Sequence, residues 1–298
     1  MQNATETNIG LDHITFLFDN SSLSEFLTDK LIQESVAQSS DNISLFVSID
    51  TLSELAKGDE KKVVARLHAL APLLTSLHPK VFIAKGLLTL LKKERRNRGN
   101  LKSIPLLINS PKWQSFVSSL QQDDVLIDAV SKHKARMLEK NVVSERMKQI
   151  DIFLRKSASP KNQSSIRERL LEFDQEDEIK NLLFDHRNLS LSRSVFKKII
   201  KTTNQEKFPT HRLYIYLIQM RMLGNQLNVY PPGDTLRFLN KIKLGNWYDI
   251  AILAQSYSYT YFVSDDKDQR DFCNFLRSLG VSKCLGISLA EMNEIIFR

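Results

Sequence analysis

Acidic residues gather around the short apolar runs near both ends of the chain. Asp19 follows the run at 14–18, and Glu54 stands early in the helix expected after a second run at 43–49. Asp249 lies near the start of a helix that precedes a run at 259–263, and Asp265, Asp266 and Asp268 follow that run. Taken singly, each has a structural explanation. Asp19 and Asp50 suit helix N-caps, Glu54 suits the positive end of a helix dipole, and Asp265–Asp268 suit a turn. Taken as a group they suggest chemistry. Carboxylates brought together repel, so a metal-free cluster is expected to hold at least one carboxyl with a raised pKa. Hard divalent ions such as Mg²⁺ or Mn²⁺ prefer oxygen ligands and bind through a few carboxylates plus water. One such ion activates a water nucleophile and another stabilises the leaving oxygen of an in-line attack on a phosphodiester. No His, Cys or Ser base is required.

The elements that must position these acids read as an α/β pattern at both ends. Residues 14–18 form an apolar, β-prone run, followed by cap residues and a helix over 23–36 whose apolar face holds Leu23, Phe26, Leu27, Leu31 and Ile32. A second strand is expected at 43–49, then helices to about residue 76, then a third strand at 80–84. From Gly86 to about Leu239 the apolar spacing is helical throughout and no strand is expected. Residues 157–162 read as a loop, and 230–234, which contain Pro231, Pro232 and Gly233, as a stop. Alternation then returns, with a helix at 247–257, strands at 259–263 and 281–286, and helices between and after them. The expected organisation is one α/β core made of residues 10–85 and 240–298, with a central, mostly parallel sheet, interrupted by an all-helical insertion at 86–239.

The order of these motifs resembles the PIN domain nucleases. The matching residues are Asp19 with Asn20 and Ser21 after the first strand, Glu54 in a Glu-Leu pair, Asp249 opening Asp-Ile-Ala-Ile-Leu-Ala, and Ser264 with Asp266 and Asp268 in Val-Ser-Asp-Asp-Lys-Asp. The resemblance covers about 130 residues and is most specific over 246–285. It implies a PIN-like three-layer core in which Asp19, Glu54, Asp249 and Asp266 hold Mg²⁺ or Mn²⁺. Asp265 and Asp268 would support them, and Asn20, Ser21 and Ser264 would act as hydrogen-bonding partners. The sequence departs from the family pattern in four places. Ser264 replaces the usual Thr, Gln269 stands where Phe is common, the first motif is Asp-Asn-Ser, and the insertion is much larger.

The charge map adds a candidate partner. The net charge of +8 hides −9 over residues 1–60, −2 over 246–298 and +19 over 61–245. A basic region attracts polyanions, most commonly nucleic acid. Its densest run is Lys92, Lys93, Arg95, Arg96 and Arg98, which is either a phosphate grip or a solvated helix end. Weaker groups lie at Lys132–Lys140 and Lys197–Lys201. The six histidines are scattered, the two cysteines (Cys273, Cys284) have no base partner in sequence, and no phosphate loop or nucleophile elbow is present. No apolar run approaches the roughly 18 residues of a membrane span, and the N-terminus lacks a signal pattern. The expectation is therefore a soluble, cytoplasmic Mg/Mn-dependent hydrolase acting on nucleic acid, with RNA favoured over DNA. A regulatory protein or a second copy of the chain is a further partner that the insertion could dock. The alternative is a non-catalytic PIN-like module that binds nucleic acid or a protein.

Overall fold

The computed structural model describes residues 6–7, 13–56, 59–99, 104–106, 110–139, 208–214, 217, 247–278 and 282–297. The loop expected at 157–162, the stop at 230–234, the basic group at Lys197–Lys201, residues 240–246 and Lys140 lie outside them, as do the side chains of Lys134 and Arg136.

Five strands form one sheet in the order β4 (Val81–Ala84), β3 (Ile43–Ser48), β2 (Ile14–Phe18), β6 (Tyr261–Val263), β7 (Leu285–Ile287), every neighbouring pair parallel. The two ends of the chain thus share a sheet. Phe16, Leu17 and Phe18 of β2 stand opposite Tyr261, Phe262 and Val263 of β6. Hydroxyls fasten the join at one end, where Thr260 N donates to Thr15 Oγ1 at 2.9 Å and Thr15 N to Thr260 Oγ1 at 3.2 Å. At the other end Asp19 N donates to the carbonyl of Val263 at 3.0 Å.

Both faces of the sheet are covered, as a parallel sheet requires. Phe16, Phe18, Leu45, Val47, Ile83 and Val263 pack with α1 (Asn20–Phe26), α2 (Lys30–Gln38), α4 (Glu60–Ser76) and α10 (Leu289–Phe297). Leu17, Phe46 and Phe262 alternate with them in register and are also fully buried. On this second set Phe46 stacks on Phe82 and tilts against Tyr259, with ring centroids 5.4 and 5.2 Å apart. α8 (Trp247–Gln255) packs against α3 (Ile49–Leu55) and α5 (Leu87–Arg96), and α9 (Lys267–Ser278) against β7.

Three sequence expectations need correction. The helix expected over 23–36 is two helices, because Thr28 Oγ1 donates to the Glu25 carbonyl and Asp29 restarts the chain by accepting from Ile32 N at 3.1 Å. The region from Gly86 to Leu239 is not all-helical. β5 (Ile104–Pro105) pairs antiparallel with β1 (Glu6–Thr7), and Leu106 bridges to Ala84. A two-residue ladder is too short to leave a period-2 pattern. Cys284 lies just before β7 and not inside a strand. Elsewhere in that region α6 (Ser110–Ser119) and α7 (Asp123–Glu139) are helical as expected. Among the described residues no helix is long and apolar enough to cross a membrane.

Candidate functional site

The strand order fixes where a site belongs. From β2 the chain steps outward to β3 and β4 on one side, and later to β6 and β7 on the other. The order reverses between β2 and β6. In open parallel sheets, ligands bind in the crevice beyond the carboxyl ends of strands at such a reversal. Asp19 follows the end of β2 and Ser264 the end of β6, so both stand at that crevice.

Asp19 is the N-cap of α1 and only 3% exposed. Its carboxylate accepts from Ser22 N at 2.8 Å, Ser22 Oγ at 2.7 Å and Ser264 Oγ at 2.6 Å, and the Ser21 hydroxyl lies 2.9 and 2.8 Å from its two oxygens. Burial raises its pKa, against the lowering effect of these donors. Ser264 also accepts from Asp266 N at 3.1 Å, so one hydroxyl ties Asp19 to the backbone of Asp266. Asp266 in turn caps α9, its Oδ1 accepting from Asp268 N at 2.9 Å and Gln269 N at 3.4 Å. Gln269 reaches across to Asp249, its Nε2 donating to Asp249 Oδ1 at 3.3 Å. Arg270 steadies the loop by donating to the carbonyl of Ser264 at 2.7 Å.

Asp265 turns the other way. Its Oδ1 accepts from Leu289 N at 3.2 Å, at the start of α10, and its own N–H donates to Ser21 Oγ at 3.2 Å. The carboxyl of Glu25 has its pKa raised by a hydrogen bond to Asp265 and by the repulsion between the two acids. A like-charge effect thus acts on Glu25, after that hydrogen bond, whereas burial is the largest cause at Asp19. Glu54 stands on α3, one turn beyond Asp50. Burial first, then the charges of Asp50 and Glu54, push the hydroxyl of Tyr248 up to about 12. This places Glu54 and Asp50 beside the residue that precedes Asp249.

Asp19, Ser21, Ser264 and Asp266 are thus linked directly. Asp249 joins them through Gln269, and Glu54 faces the same helix through Tyr248. Asp268 contributes its backbone N–H to the cap. Among the described residues, no three His, Cys, Asp or Glu side chains stand close enough together to hold a metal ion. The six acids do not form a ready-made cage. The donor set is nevertheless all oxygen, and Asn20 Oδ1 is buried beside Asp19 without a hydrogen-bond partner. Mg²⁺ keeps several waters and needs only one or two carboxylates, and Asp19, Asp249 and Asp266 are the residues that would supply them.

Asp50 is the residue that sequence reasoning misplaced. Ser48, not Asp50, caps α3. Asp50 Oδ2 accepts from Leu87 N at 2.7 Å and from Gln255 Nε2 at 2.8 Å, joining α3 to the start of α5 and the end of α8. Gly86 makes room for it, since a Cβ there would lie 2.5 Å from Asp50 Oδ2 and 2.6 Å from Ile49 Cγ2. Gly86→Ala is expected to displace a carboxylate held by two bonds and to lower stability by about 1–3 kcal/mol. Urea denaturation checks this, and an unchanged midpoint would show that the loop gives way freely.

The basic run forms the last turns of α5 and the residues after it. Lys92, Arg95, Arg96 and Arg98 are exposed and Lys93 is half-buried. Glu94, in their midst, is 0% exposed and points inward. It accepts from Thr210 N at 2.7 Å, His211 N at 3.1 Å and His211 Nδ1 at 2.8 Å, clamping residues 210–211 onto α5. Arg98 and Gly99 close the helix with φ of 55° and 97°, conformations that end a helix in the left-handed region.

No family model, no curated protein and no solved structure matches the chain.

Proposed function

We propose that the chain is a PIN-like, divalent-metal-dependent nuclease that hydrolyses phosphodiester bonds, with single-stranded RNA its substrate. The observation that carries this reading is the hydrogen bond from Ser264 Oγ to Asp19 Oδ2 across the β2–β6 crevice, 245 residues apart in sequence. It brings two separate acidic motifs, Asp19 and Asp266, to the one place where the sheet order makes a ligand crevice. Asp19, Glu54, Asp249 and Asp266 would hold Mg²⁺ or Mn²⁺, with Asp265 and Asp268 in support. The bound ion would supply an activated water and stabilisation of the leaving oxygen. The chain's own residues fix the carboxylates: Ser21, Ser22 and Ser264 at Asp19, and the first turn of α9 at Asp266. Lys92, Lys93, Arg95, Arg96 and Arg98 would offset the repulsion between an acidic crevice and a polyanion.

A second reading, a non-catalytic module binding nucleic acid or a protein, is favoured by one observation. Both oxygens of Asp19 are already occupied by protein donors. Calorimetric Mn²⁺ titration separates the two. The nuclease reading expects wild type to bind Mn²⁺ and cut labelled single-stranded RNA only with it. Asp266→Asn should weaken Mn²⁺ binding at least ~10-fold, the lower bound for disturbing even an outer partner of a metal site. Wild type that binds RNA but neither binds Mn²⁺ nor cleaves would decide for the module.

A further inference from the structure

Gln269 occupies a position with a known local use. With Asp266 as N-cap of α9, Gln269 is the third helical residue, the place from which a Glu or Gln side chain usually reaches back to the N-cap's own N–H. Here that N–H is already taken, because Asp266 N donates to Ser264 Oγ at 3.1 Å. The carboxamide is released from the capping role and extends to the neighbouring helix, where it donates to Asp249 Oδ1 at 3.3 Å. Its backbone N–H meanwhile donates to Asp266 Oδ1 at 3.4 Å. One residue therefore touches two of the acids, one on the helix before β6 and one on the loop after it.

An amide suits this place better than the alternatives. A neutral donor satisfies one oxygen of Asp249 without adding charge beside a second acid, Asp266, that the same residue's backbone touches. A phenyl ring would offer Asp249 no donor, and a lysine would neutralise the pair and compete with a cation. From this geometry we infer that Gln269 is a positioning residue, which holds Asp249 at a fixed orientation relative to Asp266 so that a divalent cation meets both. The inference rests on the nuclease reading for the cation, and on geometry alone for the Gln269–Asp249 contact.

The test uses the full chain and Mn²⁺ itself as probe, in wild type, Gln269→Met, Asp249→Ala and the double variant. Gln269→Met is expected to weaken Mn²⁺ binding by about 10–100-fold, the scale found for outer partners of metal ligands. In the Asp249→Ala background the same change should cost nothing further, because the acceptor it acts through is gone. An unchanged Mn²⁺ affinity in Gln269→Met overturns the inference. So does an equal loss in both backgrounds, which would signal general loosening of α9. Metal-free urea midpoints of the four proteins read the contact separately, and Gln269→Ala serves if the Met variant does not fold. Non-additive midpoints support the contact, and additive ones overturn it. If wild type binds no Mn²⁺, the nuclease reading fails, and the urea cycle alone decides whether Gln269 positions Asp249.

Discussion

Asp19→Asn is expected to abolish metal-dependent cleavage while leaving the protein as stable as wild type, or more so. The two effects have different origins. Asparagine keeps one acceptor oxygen, enough for Ser22 N and Ser22 Oγ, which lie 2.8 and 2.7 Å from Asp19 Oδ1. Its NH₂ group then faces Ser21 and Ser264, whose hydroxyls can rotate from donating to accepting. The helix cap survives and the cost of a buried charge disappears. Cleavage has no such substitute, and its rate should fall on the order of 100-fold or more, the effect of removing one electrostatic partner of a transition state. The pH dependence gives an independent check. Burial sets the folded pKa of Asp19 above its ordinary value of 3.8. Between these values the folded state holds a proton that the unfolded state has released, so stability falls as pH rises through the window. Asp19→Asn lacks that slope. Its urea midpoint should match wild type below pH 3.8 and gain on it as pH rises through the raised pKa. A variant less stable by the same margin at every pH would show that the carboxylate is needed for folding and carries no burial cost. Protons also compete for the group, so Mn²⁺ affinity should weaken as pH falls through the same window.

How much of this was legible in sequence differs between elements. Largely apolar runs marked β2, β3, β4 and β6 because both faces of a parallel sheet are buried, and the polar residues within them, Thr15, Ser44 and Ser48, are buried with hydrogen-bond partners. The return of alternation near the C-terminus indicated a sheet made from both ends. The break between α1 and α2 was hidden because Leu23, Phe26, Leu27, Leu31 and Ile32 keep helical spacing across it. The turn at Thr28–Asp29 rotates that face and leaves Leu31 74% exposed while the other four are buried. At the site, Asp19 and Ser264 were visible as strand ends. The bonds of Asp50 were not, since its partners Leu87 and Gln255 lie 37 and 205 residues away and only folding brings them together. Gln269 was visible as a departure from the PIN-like pattern. What it touches depends on Ser264 having already taken the N–H of Asp266, a competition between two hydrogen bonds that residue spacing does not record.

Replacing Arg95, Arg96 and Arg98 together with Glu is expected to weaken binding of single-stranded RNA and to flatten its salt dependence, without changing Mn²⁺ affinity. α5 separates its two roles cleanly enough for this experiment. Leu87, Leu90, Leu91 and Glu94 face inward, and the three arginines are exposed. The clamp of Glu94 on Thr210 and His211 is left intact, so a folded variant reports on charge. For every phosphate that the variant no longer neutralises, the slope of log K against log salt should shrink by about 0.7 for a single strand. The bland reading of the same residues is also physical, because cations in the last turn of a helix are favoured by its dipole by about 0.3–1 kcal/mol each when exposed. Reversal should therefore lower the urea midpoint slightly under either reading, and stability does not tell them apart. The salt slope does, since a helix dipole releases no counterions from RNA. A slope that stays at the wild-type value would make the run a solvated helix end. A slope that falls with Mn²⁺ affinity intact would show that the cations gripping the strand, at the end of α5 and just after it, act as a surface separate from the acids at the β2–β6 reversal.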